Sequence, residues 1–392
     1  MNSHTKASKR STPAGHRRPS FERIALLLQG GGALGAYQAG VYQALAEHDL
    51  HPDCVAGVSI GAINAALIAG NPPERRVEAL RAFWERVTAP PFGFAVIRPL
   101  FGFLSAGGDK LHGLLNQAHA VATTAGGAPG FFVPRPVPPF LSPPGTPEAE
   151  SFYDTTPLRA TLEELVDFDR INTGDIWFGV GAVNVRSGNL EYFDSTERTI
   201  RPEHVMASGA LPPGFPGVEI DGEVYWDGGL VSNTPLQWVL DSHSRKDTLA
   251  FQVDLWSARG EVPADLTGLD LRQKDIRFSS RTRAGTDQFR DLQRARRAVR
   301  KLIAMLPDPE AVKGDPDLRE LVERADDKVF NIIHLIYRAK RYEGSSKDYE
   351  FSRATMEEHW SDGYHDANHT LSHPEVLERP TSEDGVAIYD LC

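Results

Sequence analysis

Apolar residues along this chain fall into runs of two kinds. Short runs, Ile24–Leu28, Cys54–Val58 and, with Gln252 and Asp254 within it, Thr248–Leu255, have the length expected of strands buried on both faces. Other stretches repeat an apolar position every three or four residues: Ala36–His48, with Tyr37, Val41 and Leu45 on one face, and Ala62–Ala69, stopped by Gly70-Asn71-Pro72. Ile176–Val185 and Leu190–Phe193, joined by Arg186-Ser187-Gly188-Asn189, predict two paired strands and a turn. Strand, loop, helix, strand, turn, helix is the opening of an α/β fold with parallel strands and covering helices. No segment repeats another.

The pattern changes in three places. Before residue 24 the chain is polar and basic (Lys6, Lys9, Arg10, Arg17, Arg18), without an apolar stretch of signal-peptide length, and is expected to be a disordered tail over 1–23. From Pro90 to Pro147 it holds eleven prolines and many glycines with little periodicity. That composition predicts a long insertion or lid over 90–150 within a domain spanning 24–262, not a unit with its own core. Beyond about Pro263 charged helices are expected, at Thr286–Leu306, Pro316–Tyr342 and Ser352–Leu371, forming a helical C-terminal extension over 263–392.

Composition narrows the setting. With 392 residues, 41% of them hydrophobic, the chain can bury a full core. Its apolar runs stop far short of the roughly 20 residues a membrane-spanning helix needs. Two cysteines, Cys54 and Cys392, give neither a disulfide framework nor a zinc-ligand spacing, which fits a cytoplasmic protein. The net charge is −11, yet residues 271–301 carry eleven Lys/Arg against three Asp. One localised basic patch is implied, and a nucleic-acid-binding surface is not.

Three motifs carry chemistry. Gly57-Val58-Ser59-Ile60-Gly61 is a G-x-S-x-G sequence between a predicted strand and a predicted helix, the context of a nucleophile elbow. The turn is tight, so glycines at 57 and 61 leave the Ser59 hydroxyl projecting at a helix N-terminus, where developing negative charge is favoured. The same five residues also suit a plain turn with Ser59 as a helix cap. Gln29-Gly30-Gly31-Gly32-Ala33-Leu34-Gly35 lets backbone N–H groups converge on one anionic oxygen. Its rival reading is the dinucleotide fingerprint G-x-G-x-x-G, but the acidic ribose partner is missing, because Asp53 precedes the second strand instead of ending it. Asp227-Gly228-Gly229, with Asn233 and Pro235 following, ends a strand-like run on a glycine turn. An aspartate there can reach a serine directly and act as base if shielding from water raises its pKa. Alone, such a sequence is commonly an ordinary turn.

Taken in order, Gly30-Gly31-Gly32 after a strand, Gly57 to Gly61, Ala207-Ser208-Gly209-Ala210-Leu211-Pro212 and Asp227-Gly228-Gly229 resemble the patatin-like phospholipase family over roughly residues 24–255. The resemblance implies a three-layer α/β/α fold with a mainly parallel central sheet and a Ser–Asp dyad of Ser59 and Asp227. It further implies an oxyanion hole from Gly30, Gly31, Gly32 and the Ile60 N–H, turn support from Gly57, Gly61, Gly228 and Gly229, and hydrolysis of lipid carboxylic esters of the phospholipase A or lysophospholipase type. Neither a metal nor an organic cofactor is expected. Many members carry a basic residue where this chain has Leu34, and an aspartate where it has Gln29, so the likeness does not extend to charge assistance from that loop. The C-terminal third resembles an extension found in a bacterial subgroup.

Other readings stay open at this level. A Ser-His-Asp esterase would need a histidine after Asp227, such as His243 or His334. A lipid-binding or scaffold module would need only the fold. His365, His369 and His373, with Asp362 and Asp366, have ligand-like spacing, but Gly363 and Pro374 disturb that helix, and the stripe Met356, Trp360, Tyr364, Ala367, Leu371 accounts for it as an amphipathic helix. The helix 286–306 sets Phe289, Leu292, Val299, Ile303 and Leu306 against Arg290, Arg294, Arg297, Arg300 and Lys301. It packs on the core or docks on anionic membrane. Phe92–Leu104 is a candidate acyl channel or lid, with burial beneath the insertion as its alternative.

Overall fold

The computed structural model describes residues 18–89, 109–241, 245–279, 282–308, 315–340 and 342–391. Its strands are Arg23–Leu28 (β1), Cys54–Val58 (β2), Val133–Pro134 (β3), Tyr153–Asp154 (β4), Trp177–Asn184 (β5), Leu190–Asp194 (β6), Val218–Ile220 (β7), Glu223–Asp227 (β8), Thr248–Asp254 (β9), Phe330–Ile336 (β10) and Val386–Asp390 (β11). β3 and β4 form a minimal antiparallel pair. The others form one sheet in the order β11-β10-β9-β1-β2-β5-β8-β7, with β6 also on β5. Pairing is parallel from β11 through to β5 and antiparallel at β5–β6, β5–β8 and β8–β7.

Alternation along the strands divides the interior in two. Leu26 and Leu28 of β1, Val55 of β2 and Phe251 of β9 point to one face, where they meet the helices Ala36–Glu47 (α1), Ile60–Ala69 (α2) and Arg76–Val87 (α3). Ala25, Leu27, Ala56 and Ala250 point to the other, beneath Leu236, Val239 and Leu240 of a short helix and Phe289 of the helix Thr282–Ala304. Helices on both faces of a largely parallel sheet make three α/β/α layers. All six residues of β1 are buried, which is why Ile24–Leu28 is an unbroken apolar run and not an alternating one.

Beyond residue 263 the chain gives helices at Leu266–Phe278, Thr282–Ala304, Pro316–Arg324 and Arg353–Leu371, and it also gives β10 and β11. The helix expected over Pro316–Tyr342 therefore ends at Arg324, and Phe330–Ile336 is a strand alongside β9. A short apolar run such as Phe-Asn-Ile-Ile-His-Leu-Ile fits a buried strand as well as a helix, and pairing decides between them. Arg353–Leu371 buries Met356, Trp360, Ala367 and Leu371, the stripe seen in the sequence, against α1. The two helices nearly touch. A Cβ on Gly40 would lie 1.9 Å from the Trp360 carbonyl oxygen, and one on Gly363 would lie 2.0 Å from that of Tyr37.

The basic helix differs from its expected face. Phe289 is buried, but Leu292 and Leu306 are exposed. Several of its arginines are engaged within the molecule: Arg296 with Asp241 at 2.8 Å, Arg297 with the Asp327 carbonyl at 2.8 Å, and Arg290 and Arg294 with Asp384 at 3.7 and 3.8 Å. Within the Pro-rich insertion, 109–126 is helical, and Phe92–Leu104 lies outside the described residues, as do residues 1–17 and Cys392. Among the described residues no helix is long and apolar enough to cross a membrane.

Candidate active site

β2 delivers Ser59 into a turn with φ 56° and ψ −125°, a backbone conformation that side-chain-bearing residues rarely adopt and that clusters at functional sites. Its glycines are obligatory. A Cβ on Gly57 would meet the Gly61 carbonyl oxygen at 2.2 Å, and one on Gly61 would meet that of Leu28 at 2.2 Å. The Ser59 N–H donates to both the carbonyl and the hydroxyl oxygen of Ser208, each at 3.1 Å, and the Ser208 hydroxyl donates to the Gly181 carbonyl at 2.6 Å. Ile60 then opens α2.

Asp227 arrives from β8, opposite Ala182 of β5. Gly228 is pressed so closely on β5 that a Cβ would lie 2.5 Å from the Gly181 carbonyl oxygen, and the Asp227 N–H donates to the Ala210 carbonyl at 2.9 Å. The segment Ala207–Pro212 thus holds the serine through Ser208 and the aspartate through Ala210. The Ser59 side chain adjoins the Asp227 carboxylate, which accepts the Gly229 N–H at 2.7 Å. Burial of this carboxyl, only 2% exposed, pushes its pKa up to about 6, against the opposing pull of Ser59 and of the Gly229 N–H.

The glycine loop after β1 lies against both. Gln29 braces it without contributing charge: its side-chain oxygen accepts the N–H groups of Leu255 and Trp256 at 2.7 and 3.0 Å, and its nitrogen donates to Thr234 at 3.0 Å. Gln38 donates to the Gln29 carbonyl at 2.7 Å, and Asn64 donates to the Gly35 carbonyl and to Gln38, each at 2.9 Å. Leu34 is fully buried and does not border the cavity. Gly30 is committed, because its N–H donates to Asn233 Oδ1 at 3.1 Å while Asn233 Nδ2 donates back to its carbonyl at 2.9 Å. A Cβ there would also sit 2.9 Å from that of Ser59.

Ser59, Asp227, Gly30, Gly31, Gly32 and Ile60 border one cavity of about 440 Å³. Its walls are apolar and aromatic: Phe131 and Phe132 from the insertion, Phe215, Trp256, Phe278, and Phe351 from the C-terminal region. The ring of Phe132 lies 5.2 Å from that of Phe215 and 6.1 Å from that of Phe351, so three distant segments close one wall. An apolar cavity ending at a serine hydroxyl and a buried carboxylate suits the acyl chain of an ester.

A family model described as patatin-like phospholipase matches residues 26–240, more than half of the chain. The chain belongs to the patatin-like phospholipase family. A second model, described as patatin phospholipase, matches residues 276–383. Among curated proteins, a triacylglycerol lipase of Arabidopsis thaliana, SDP1L, is 40% identical over 68 residues, which is 17% of this chain and 8% of that protein. A patatin-like phospholipase domain-containing protein of Caenorhabditis elegans is 40% identical over 77 residues, 17% of this chain and 6% of that one. The chain thus matches less than a tenth of the length of these relatives. Among solved structures, VipD from Legionella pneumophila is 13% identical over 97% of this chain and 77% of that chain, with a TM-score of 0.41. ExoU of Pseudomonas aeruginosa is 17% identical over 68% of this chain and 51% of that chain, with a TM-score of 0.30.

Within this patatin-like frame the remaining sequence candidates lie elsewhere. His334 is buried on β10 beside Thr286 and Asp254, at 3.4 and 4.0 Å, and does not border the cavity. His243 lies outside the described residues. His365 and His369 are exposed, while Asp362 pairs with Lys340 at 2.7 Å and Asp366 accepts the Tyr37 hydroxyl at 2.8 Å. The acids that would join a metal site have other partners. The sequence motifs include Ser208 and Asn233 but assign them no role, and Trp256, whose indole donates to the Gly30 carbonyl, belongs to no motif. Three in-line aromatics at positions such as Phe131, Phe215 and Phe351 leave no sequence signal either, because only tertiary packing brings them together.

Proposed function

We propose that this protein is a serine acyl hydrolase that cleaves lipid carboxylic esters, of the phospholipase A or lysophospholipase type, by a Ser–Asp dyad. The observation that carries the reading is the Ser59 side chain beside a buried carboxylate whose pKa stands near 6, at the end of an aromatic-lined cavity. A base with that pKa is ionised at neutral pH and still strong enough to accept a proton in the transition state. Ser59 Oγ attacks the ester carbonyl carbon while Asp227 takes its proton. The resulting oxyanion is met by the N–H groups of Gly31, Gly32 and Ile60, since that of Gly30 is occupied by Asn233. Gly30 serves instead by leaving room for Ser59. Collapse of the intermediate expels the alcohol, which takes the proton from Asp227, and leaves an acyl-enzyme on Ser59. Asp227 then accepts a proton from water as that water attacks the acyl carbonyl, and returns it to Ser59 Oγ as the acyl–oxygen bond breaks and the fatty acid departs. Neither step calls for a metal or an organic cofactor.

The test is hydrolysis of a panel of fatty-acyl esters, with phospholipid, lysophospholipid and acylglycerol members, by the wild type and by Ser59→Ala. Turnover of at least one ester by the wild type, lost by roughly a factor of 10⁴ in a folded Ser59→Ala protein, is expected. Turnover that survives in that variant would overturn the reading, and a folded wild type inert towards every member would favour a lipid-binding module.

A further inference from the structure

Resting on the reading of the site above, we propose that the helix Leu266–Phe278 and the segment 343–351 form a clasp that holds the glycine loop in its oxyanion-binding geometry, with Lys274 and Asp348 as positioning residues. The contact is made by backbone. The Asp348 carbonyl accepts the Ala33 N–H at 2.8 Å, and Gly32, at φ 56°, lies so close that a Cβ would sit 2.0 Å from that same oxygen. Whatever places Asp348 therefore places Gly32.

Two ion pairs place Asp348, and they cross. Lys274 Nζ reaches the Asp348 carboxylate at 3.1 Å and the Ser345 carbonyl at 2.7 Å. The neighbouring residues, Asp275 after Lys274 and Lys347 before Asp348, pair in the opposite sense, with Lys347 Nζ 2.8 Å from Asp275 Oδ1. Adjacent residues of opposite charge on the two segments thus fix their register as well as their distance. Lys347 is only 5% exposed, and its ammonium lies 4.9 Å from the ring centre of Trp256, whose indole N–H donates to the Gly30 carbonyl at 2.9 Å. The clasp consequently touches the loop at both ends, at Gly30 through Trp256 and at Ala33 through Asp348. Between those ends lie Gly31 and Gly32, the donors assigned to the oxyanion. Asp348 and Phe351 also border the cavity, so the same segment aligns the loop and closes the acyl wall.

Removing one cation leaves a largely shielded carboxylate unpaired and frees the segment to shift. A displacement of about 1 Å in a catalytic group can cost on the order of a hundredfold in rate, so the effect should fall on kcat, with binding of a short ester little changed. This assigns the C-terminal region a part in catalysis through alignment, distinct from its contribution of β10 and β11 to the sheet.

The experiment compares full-length wild type, Lys274→Met and Lys274→Arg. It measures kcat and KM on a short p-nitrophenyl ester, thermal unfolding, and amide hydrogen exchange of residues 29–35. Lys274→Met should exchange the Ala33 amide faster and lose about tenfold or more in kcat with KM changed less than about threefold, while Lys274→Arg recovers most of the rate. Should Lys274→Met fail to fold, Asp275→Asn, which cuts the second pair, is read in the same way. Unchanged exchange in the folded variant overturns the clasp whatever the activity, and so does a loss confined to KM. A wild type without Ser59-dependent turnover would sink the hydrolase reading instead, and the exchange measurement would still decide the clasp.

Discussion

Between residues 28 and 61 the candidate site is made almost wholly of backbone, whereas the cavity facing it is made of side chains drawn from the insertion, the 211–215 turn, the helix Leu266–Phe278 and the segment 348–351. The two halves obey different rules. In the first, position is set by contacts in which a single added carbon collides with a carbonyl at 2.0–2.2 Å, as at Gly32, Gly57 and Gly61. Only glycine satisfies such contacts, so this half is nearly intolerant of substitution. In the second half, Phe131, Phe132, Phe215 and Phe351 touch ring to ring at 5.2–6.1 Å, and any residue of similar bulk preserves the wall. Chemistry is therefore concentrated in a few short segments, and the shape that selects a substrate is dispersed over many.

The largest expected effect comes from the base. Asp227→Asn should lower kcat/KM by roughly 10⁴ while making the protein more stable at neutral pH. The sign follows from burial. The folded-state pKa stands near 6, above the ordinary 3.8, so the contribution of this group to stability is fully present below about pH 4 and is lost as pH rises through about 6. Asparagine avoids that loss, by at most about 3 kcal/mol, and denaturant melts at pH 4 and pH 7.5 check it: the advantage of the variant should appear only at the higher pH.

A smaller loss is expected on the backbone side. Gly32→Ala adds a carbon 2.0 Å from the Asp348 carbonyl oxygen at a positive φ, and should cost about a hundredfold in kcat with the cavity otherwise intact. Steady-state kinetics on one ester suffice, and wild-type kcat in Gly32→Ala would remove the loop from the mechanism. On the side-chain side, Phe132→Ala or Phe351→Ala should spare a short ester and change the preferred acyl length, shifting the ratio of long-chain to short-chain kcat/KM by about tenfold. Equal losses on all chain lengths would erase the distinction between the two halves.

The same distinction explains what could be read from the sequence. β1, β2, β9 and the hairpin β5–β6 announce themselves as short apolar runs between glycines and charges, and Ser59 and Asp227 sit on turns whose glycines are visible. Local geometry leaves local marks. The strand Phe330–Ile336 reads locally as the continuation of a helix because its partner β9 lies some 80 residues away in sequence. Nothing local signals that Asn233 binds Gly30, or that Lys274 meets Asp348, since each contact joins segments that are close only after folding. Even the glycine loop reads as three equivalent donors, and it takes the Asn233 side chain to set Gly30 apart from Gly31 and Gly32.

The central claim is that Asp227 activates Ser59. The most direct measurement is the rate of covalent labelling by a fluorophosphonate as a function of pH, in the wild type, Ser59→Ala and Asp227→Asn, with the labelled residue located by peptide mass. Labelling of Ser59 alone is expected, with a rate that rises through an apparent pKa near 6 and that falls away in both variants. A folded wild type that does not label, or Asp227→Asn labelling at the wild-type rate with the same pH profile, would contradict that claim.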